Sequence, residues 1–65
     1  MSQAEETLGA VLKIARESKT FSLRYVEEHA GISNAYLSQL ENDKIKKPAA
    51  DTLFKLAEIY KIDFN

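Results

Sequence analysis

The residue that most constrains this chain is Gly31. It ends a short apolar-periodic segment that opens at Ser22, and only Ile32 separates it from Ser33, where the next segment opens. Serine is a strong helix N-cap because its side-chain oxygen accepts a first-turn amide hydrogen. Glycine is the residue best suited to the left-handed position just past a helix. The order Ser22, Gly31, Ser33 therefore predicts two short helices meeting at a tight turn. Other breakers are few: Gly9 is the only other glycine and Pro48 the only proline. β-branched residues never alternate with polar ones over a useful length, and the apolar spacing is helical throughout. The chain reads as all-α.

Four helices are expected. The first runs from about Ala4 or Glu5 to Glu17, with Leu8, Val11, Leu12 and Ala15 on one face. Glu5 and Glu6 sit where a helix dipole favours negative charge. Gly9 is either a weak spot or a point of close packing, and Ser18-Lys19-Thr20 is the break. The second helix is capped by Ser22 and runs from Leu23 to Ala30, with Phe21 outside it as a candidate staple residue. The third is capped by Ser33 and runs from Asn34 to Glu41, burying Leu37 and Leu40 with Ile32 in the turn. A loop from Asn42 to Lys47 leads to Pro48, which sits where a helix start tolerates proline, and a fourth helix follows from about Ala49 to Tyr60. Leu53, Leu56, Ala57 and Tyr60 are its expected core residues, while Tyr25, Phe54 and Phe64 are candidates for exposure or an interface.

Length and composition remove several function classes. Sixty-five residues hold one core, so a two-domain enzyme or a barrel is excluded. The chain has no cysteine, hence no disulfide framework and no thiolate metal site. No apolar run approaches the roughly 20 residues of a membrane span, and the polar, acidic start Met1-Ser2-Gln3-Ala4-Glu5-Glu6 is unlike a signal peptide. The net charge of −1 argues against a purely electrostatic nucleic-acid binder. It leaves room for a local basic edge at Lys44, Lys46 and Lys47. His29 is the only histidine and reads as a surface residue near a helix C-terminus. No spacing supplies it with further metal ligands. Glu5-Glu6 and Glu27-Glu28 are sequence neighbours, which point to different helix faces rather than converging. No catalytic constellation, metal, cofactor or small-molecule ligand is expected.

The paired short helices carry the functional reading. A tight turn containing glycine between them describes a helix-turn-helix, here over about residues 22–42. In that motif the first helix and the turn set the angle of the second, whose first residues reach base edges in the major groove. Ser33, Asn34, Ala35 and Gln39 lie on the outward face of the third helix. Asn and Gln can bond bidentately to adenine, serine can donate or accept, and alanine can touch a thymine methyl.

Taken in register, these parts resemble the Cro/repressor-type, or XRE-like, helix-turn-helix regulators from about Leu8 to Phe64. Arg16 closes the first helix; Ser22-Leu23-Arg24-Tyr25-Val26 opens the second; Gly31-Ile32-Ser33 makes the turn. Tyr36-Leu37-Ser38-Gln39-Leu40-Glu41-Asn42 is similar to the family's recognition helix and its exit. Lys47-Pro48 with Thr52-Leu53-Phe54-Lys55-Leu56-Ala57 is similar to its fourth helix. Three departures stand out: Glu27 replaces a small residue, Asp43 a common glycine, and Leu23 a frequent polar residue.

The resemblance implies a compact lambda-repressor-like bundle forming a single DNA-binding domain over residues 1–65. Four helices are present where the family pattern has five. It implies that Ser33, Asn34, Ala35 and Gln39 face bases, and that Ser22, Leu23, Tyr36, Lys44, Lys46 and Lys47 meet the DNA backbone. It further implies that Arg16 and Glu41 form a partly buried ion pair. The expected function is sequence-specific double-stranded DNA binding by a transcriptional regulator. The recognition helix, residues 33–41, would lie in the major groove, with a homodimer on a palindromic operator. The expected setting is cytoplasmic, on the nucleoid of a bacterium or its phage, with no membrane partner. Two alternatives stay open: a protein-interaction module of the same fold, such as an antitoxin or adaptor, and an N-terminal DNA reader of a larger regulator.

Overall fold

The computed structural model describes residues 7–62. Within them lie four helices and no strand: α1 (Leu8–Ser18), α2 (Leu23–Ala30), α3 (Asn34–Glu41) and α4 (Ala50–Tyr60). The two serine caps form as their residue type dictates. Ser22 Oγ accepts the Tyr25 amide at 3.0 Å, and Ser33 Oγ accepts the Tyr36 amide at 3.1 Å. Gly31 ends α2 at φ 71°, in the left-handed region, and its amide donates to the Glu27 carbonyl at 3.0 Å.

Two boundaries differ from the sequence expectation. α1 does not start at Ala4 or Glu5 but at Leu8. Thr7 is its N-cap, with Oγ1 accepting the Ala10 amide at 3.1 Å, and Glu5 and Glu6 fall outside the described residues. α4 starts at Ala50, one residue after the expected Ala49, which is its N-cap, and Pro48 precedes that cap. Ala49 has no side-chain oxygen, and no side chain caps this helix.

α1 and α2 each pack against both α3 and α4. The core draws on all of these elements and on the turn: Leu12, Val26, Ile32, Leu37, Leu40, Leu56 and Tyr60 are buried. Leu8, Ala15, Leu23, Ala30, Ile45, Leu53, Ile59 and Ile62 are half-buried around it. Leu53 and Ala57, expected in the core, are only half-buried. An eleven-residue helix at the rim of so small a bundle can sink one stripe, here Leu56 and Tyr60 at i and i+4. Tyr25 and Phe54 are exposed, and so is Ile14, whose 56% exposure has no counterpart in the sequence reading. Phe64 lies outside the described residues.

Gly9 is a point of close packing. A Cβ there would collide with the Leu40 carbonyl and stand 2.7 Å from Asp43 Oδ1 and 2.8 Å from the Glu41 carbonyl. The backbone of α1 thus touches the last turn of α3. Glycine is required at this contact for space, not for backbone freedom.

Candidate nucleic-acid interface

The outward side of α3 is polar and open. Asn34, Ala35 and Gln39 are exposed, Ser38 is half-buried, and Leu37 and Leu40 face the core. Ser33 is exposed too. Its oxygen is engaged as an acceptor by the Tyr36 amide, which leaves the hydroxyl hydrogen free to donate. Ser22 at the start of α2 is placed in the same way. Beside it Leu23 is half-buried and packs on the core, so only its backbone is offered outward. Tyr36 is likewise half-buried. It lines a shallow groove with Gly31, Ile32, Ser33, Ala49, Thr52 and Lys55, between the turn and the start of α4. Thr52 and Lys55 were not singled out from the sequence, because only the packing of α4 beside the turn brings them here.

The loop after α3 is folded back on that helix. The Asp43 amide donates to the Leu40 carbonyl at 3.1 Å, the Lys44 amide to the Gln39 carbonyl at 2.9 Å, and Asn42 Nδ2 to the Ser38 carbonyl at 2.8 Å. Lys44, Lys46 and Lys47 are exposed, whereas Ile45 between them is half-buried against the core. Ile45 anchors the loop and leaves its lysines in water. A lone apolar residue among lysines was the available sequence signal for this anchor.

Behind the exposed face, Arg16 and Glu41 form a bidentate pair. Nε donates to Oε2 at 2.7 Å and Nη2 to Oε1 at 3.0 Å, with side-chain exposures of only 11% and 6%. The third arm of the guanidinium, Nη1, donates to the Phe21 carbonyl at 2.8 Å. The Phe21 amide donates to the Arg16 carbonyl at 3.2 Å. One arginine therefore ties the end of α3 to the α1–α2 turn. The hydrogen bonds that Arg16 donates to Glu41 raise the arginine pKa above its ordinary value, against the opposing effect of burial. Tyr60 lies close enough to feel both charges. Burial pushes its pKa up to about 12, Glu41 adds to the rise and Arg16 opposes it. The Tyr60 hydroxyl is buried without a hydrogen-bond partner among the described residues.

Asp43 was read from the sequence only as a tolerable substitute for glycine. It is held at φ 61°, and its carboxylate reaches back to α1. Thr7 Oγ1 donates to Oδ2 at 2.8 Å and the Gly9 amide to Oδ1 at 3.2 Å. No local pattern announces this contact, because the partners are 36 and 34 residues away. Asp43 thereby places a carboxylate at the start of α1, where the helix dipole favours negative charge.

His29 is exposed in the last turn of α2. Its ring stacks on Tyr25 at 3.9 Å, Nδ1 lies 2.9 Å from the Tyr25 carbonyl, and Tyr25 stacks in turn on Phe21 at 4.3 Å. Phe21, the candidate staple residue, thus packs on Tyr25 and against the core. Among the described residues no group of histidines and carboxylates has the makings of a metal site, and no helix is long and apolar enough to cross a membrane.

The helix-turn-helix family profile matches residues 12–65. An uncharacterized HTH-type transcriptional regulator of Mycobacterium tuberculosis is 37% identical over 54 residues, which is 83% of this chain and 38% of that protein. The HTH-type transcriptional repressor RghR of Bacillus subtilis is 34% identical over 60 residues, or 92% of this chain and 44% of that one. This chain therefore spans less than half the length of these relatives. Among solved structures, SinR, a master regulator for biofilm formation crystallised in complex with DNA, superposes with a TM-score of 0.83 at 28% identity. The match covers 88% of this chain and 90% of SinR's. With its turn at Gly31, its four helices in order and these relatives, the chain belongs to the XRE-type helix-turn-helix family of transcriptional regulators.

Proposed function

We propose that the chain binds double-stranded DNA sequence-specifically and regulates transcription by occupying its site. The observation that carries this reading is the match to SinR over nearly the whole fold, since that protein was solved on DNA. Residues 22–42 act as the helix-turn-helix unit of a single domain. α3 enters the major groove, where Asn34 and Gln39 present amides, Ser33 a hydroxyl and Ala35 a methyl to base edges. Ser22 and Leu23 offer the first amides of α2 to a phosphate, where a helix N-terminus favours negative charge. Tyr36, Lys44, Lys46 and Lys47 follow the backbone on the other side. The lysines give an otherwise acidic chain a local positive edge, so electrostatics supply footing while the uncharged face of α3 supplies discrimination. The mechanism is non-covalent and needs no cofactor.

One α3 reads only a few base pairs. The chain therefore acts as a homodimer on a two-fold operator, with half-site centres roughly 34 Å apart. In vitro selection from a random duplex pool tests the whole reading. The expected result is an enriched motif with two inverted half-sites at that spacing. A pool without enrichment, or equal affinity for selected and random duplex, refutes sequence-specific binding. A single unpaired motif refutes the dimer alone.

A further inference from the structure

Two carboxylates leave the end of α3 on either side of Asn42, and they grip opposite ends of α1. Glu41 holds Arg16, and Asp43 holds Thr7 and the Gly9 amide. From Gly9 to Arg16 is about two turns, or roughly 10 Å along a helix. At the Asp43 grip, the missing side chain of Gly9 lets α1 rest directly on the Leu40 and Glu41 carbonyls. A single contact would leave α3 free to pivot about it, whereas two contacts on one rigid rod fix its rotation.

Asp43 is also where the basic loop departs. The next residue, Lys44, is already bonded back to Gln39. Asp43 holds a left-handed backbone that glycine adopts at no steric cost. A non-glycine residue persists in such a conformation when surrounding contacts over-determine it. Here those contacts are the two hydrogen bonds of its carboxylate. The side chain, rather than the backbone, therefore explains its presence.

We propose that Asp43 is a positioning residue for DNA reading: its clasp on Thr7 and Gly9 is the second anchor that sets the angle of α3 and the start of the lysine loop. This inference rests on the DNA reading above and adds a residue to it that touches no DNA itself. The clasp needs one acceptor for the Gly9 amide and one polar atom for Thr7 Oγ1. Asparagine can supply both, accepting through Oδ1 and donating through Nδ2. Glycine supplies neither while fitting the backbone better.

The test compares wild type, Asp43→Asn and Asp43→Gly in the full chain, with circular dichroism to establish that the helices are kept. Amide exchange at Gly9 reads the clasp without DNA, and the ratio of affinities for selected and random duplex reads the positioning. In Asp43→Gly, Gly9 exchange should accelerate about tenfold or more. The affinity ratio should fall by about three- to tenfold, and Asp43→Asn should restore most of both. If backbone fit alone mattered, glycine would equal or surpass both other residues. Unchanged Gly9 protection or an unchanged affinity ratio in Asp43→Gly overturns the proposal. Wild type that shows no preference among duplexes overturns the DNA reading itself, and the proposal with it. Should the glycine variant lose its helices, Asp43→Ser is measured in its place. Its single short hydroxyl cannot reach both partners, so the same losses are expected and their absence is equally decisive.

Discussion

Replacing Arg16 by methionine removes the charge and keeps much of the side chain's length. The loss can be sized from its surroundings. Glu41 keeps a carboxylate that is only 6% exposed and loses two hydrogen bonds at 2.7 and 3.0 Å. The Phe21 carbonyl loses a third bond at 2.8 Å. Removing one partner of such a buried pair costs about 3–5 kcal/mol, because the other charge is left in poor solvent. A 65-residue domain has roughly 3–10 kcal/mol in total. At about 4–8 °C per kcal/mol for a domain of this size, the melting midpoint should fall by about 12–40 °C. Thermal melts followed by circular dichroism measure this. The double variant Arg16→Met with Glu41→Leu separates the charge from the packing. A buried pair exchanged for apolar residues of similar size is often close to neutral, so the double variant should melt well above either single variant. A single variant within a few degrees of wild type, or a double variant showing the sum of both losses, would refute the argument that a stranded charge dominates.

Other perturbations probe different parts of the molecule. Gly9→Ala, which in an open helix gains up to about 1 kcal/mol, should here lose about 1–3 kcal/mol by overpacking; a stabilised variant in a denaturant titration would show that α3 can retreat at no cost. Tyr60→Phe should raise stability by about 0.5–1 kcal/mol, since it removes a buried hydroxyl with no partner, and a loss on melting would reveal a bond made by that hydroxyl. The tyrosine pKa of about 12 lies above the unfolded value near 10. Burial disfavours the phenolate, so the folded state holds this proton more tightly, and below pH 10 no stability is lost to its ionisation. Stability is lost as pH rises towards 12, by about 1–3 kcal/mol, and the phenylalanine variant should show a shallower decline in alkaline melts. Gln39→Ala and Asn34→Ala should each cost about 1–3 kcal/mol on the selected duplex with little effect on folding; equal losses on random duplex would remove them from base reading. Lys46→Ala should weaken binding to all duplexes and reduce the salt slope by about one unit, and an unchanged slope would take Lys46 off the backbone.

What could be read from the chain in advance follows the range of the interactions. The Ser22 and Ser33 caps join residues three apart, and the Gly31 amide bonds four residues back, so residue type at one position is nearly sufficient to place them. The start of α1 was misplaced because Thr7 wins by a tertiary route. It donates to Asp43 while accepting from Ala10, a contact that no local spacing announces. The start of α4 was off by one because the proline rule fits the first helical turn and the residue just before the cap almost equally well. Leu53 and Ala57 share the apolar period of Leu56 and Tyr60, yet periodicity does not say how wide a stripe the neighbours cover. At the interface, the exposure of Ser33, Asn34, Ala35 and Gln39 was legible from the helical period of α3, which turns Leu37 and Leu40 the other way. The groove residues Thr52 and Lys55 were not, since they join it only through packing between elements far apart in the chain.

The polar contacts at the exit of α3 follow from the size of the core. The seven buried apolar side chains among the described residues give cohesion, but burial is non-directional and tolerates small rotations of one helix on another. Larger relatives of a fold can restrain such rotation with further helices; here the described residues restrain it with hydrogen bonds, whose geometry is directional. Glu41, Asp43 and Gly9 concentrate that restraint at one place, where the last turn of α3 meets α1. That place is the base of the polar face, and the proposed base reading would require that face to be held to a fraction of an ångström. The net charge of −1 is consistent with this division. Of the acids, Glu41 and Asp43 are spent inward on α1, and Glu28 and Asp51 each pair with a basic residue one turn along their own helices. Lys44, Lys46 and Lys47 have no such partner among the described residues and remain exposed. The chain as a whole is acidic, but the edge beside α3 is not.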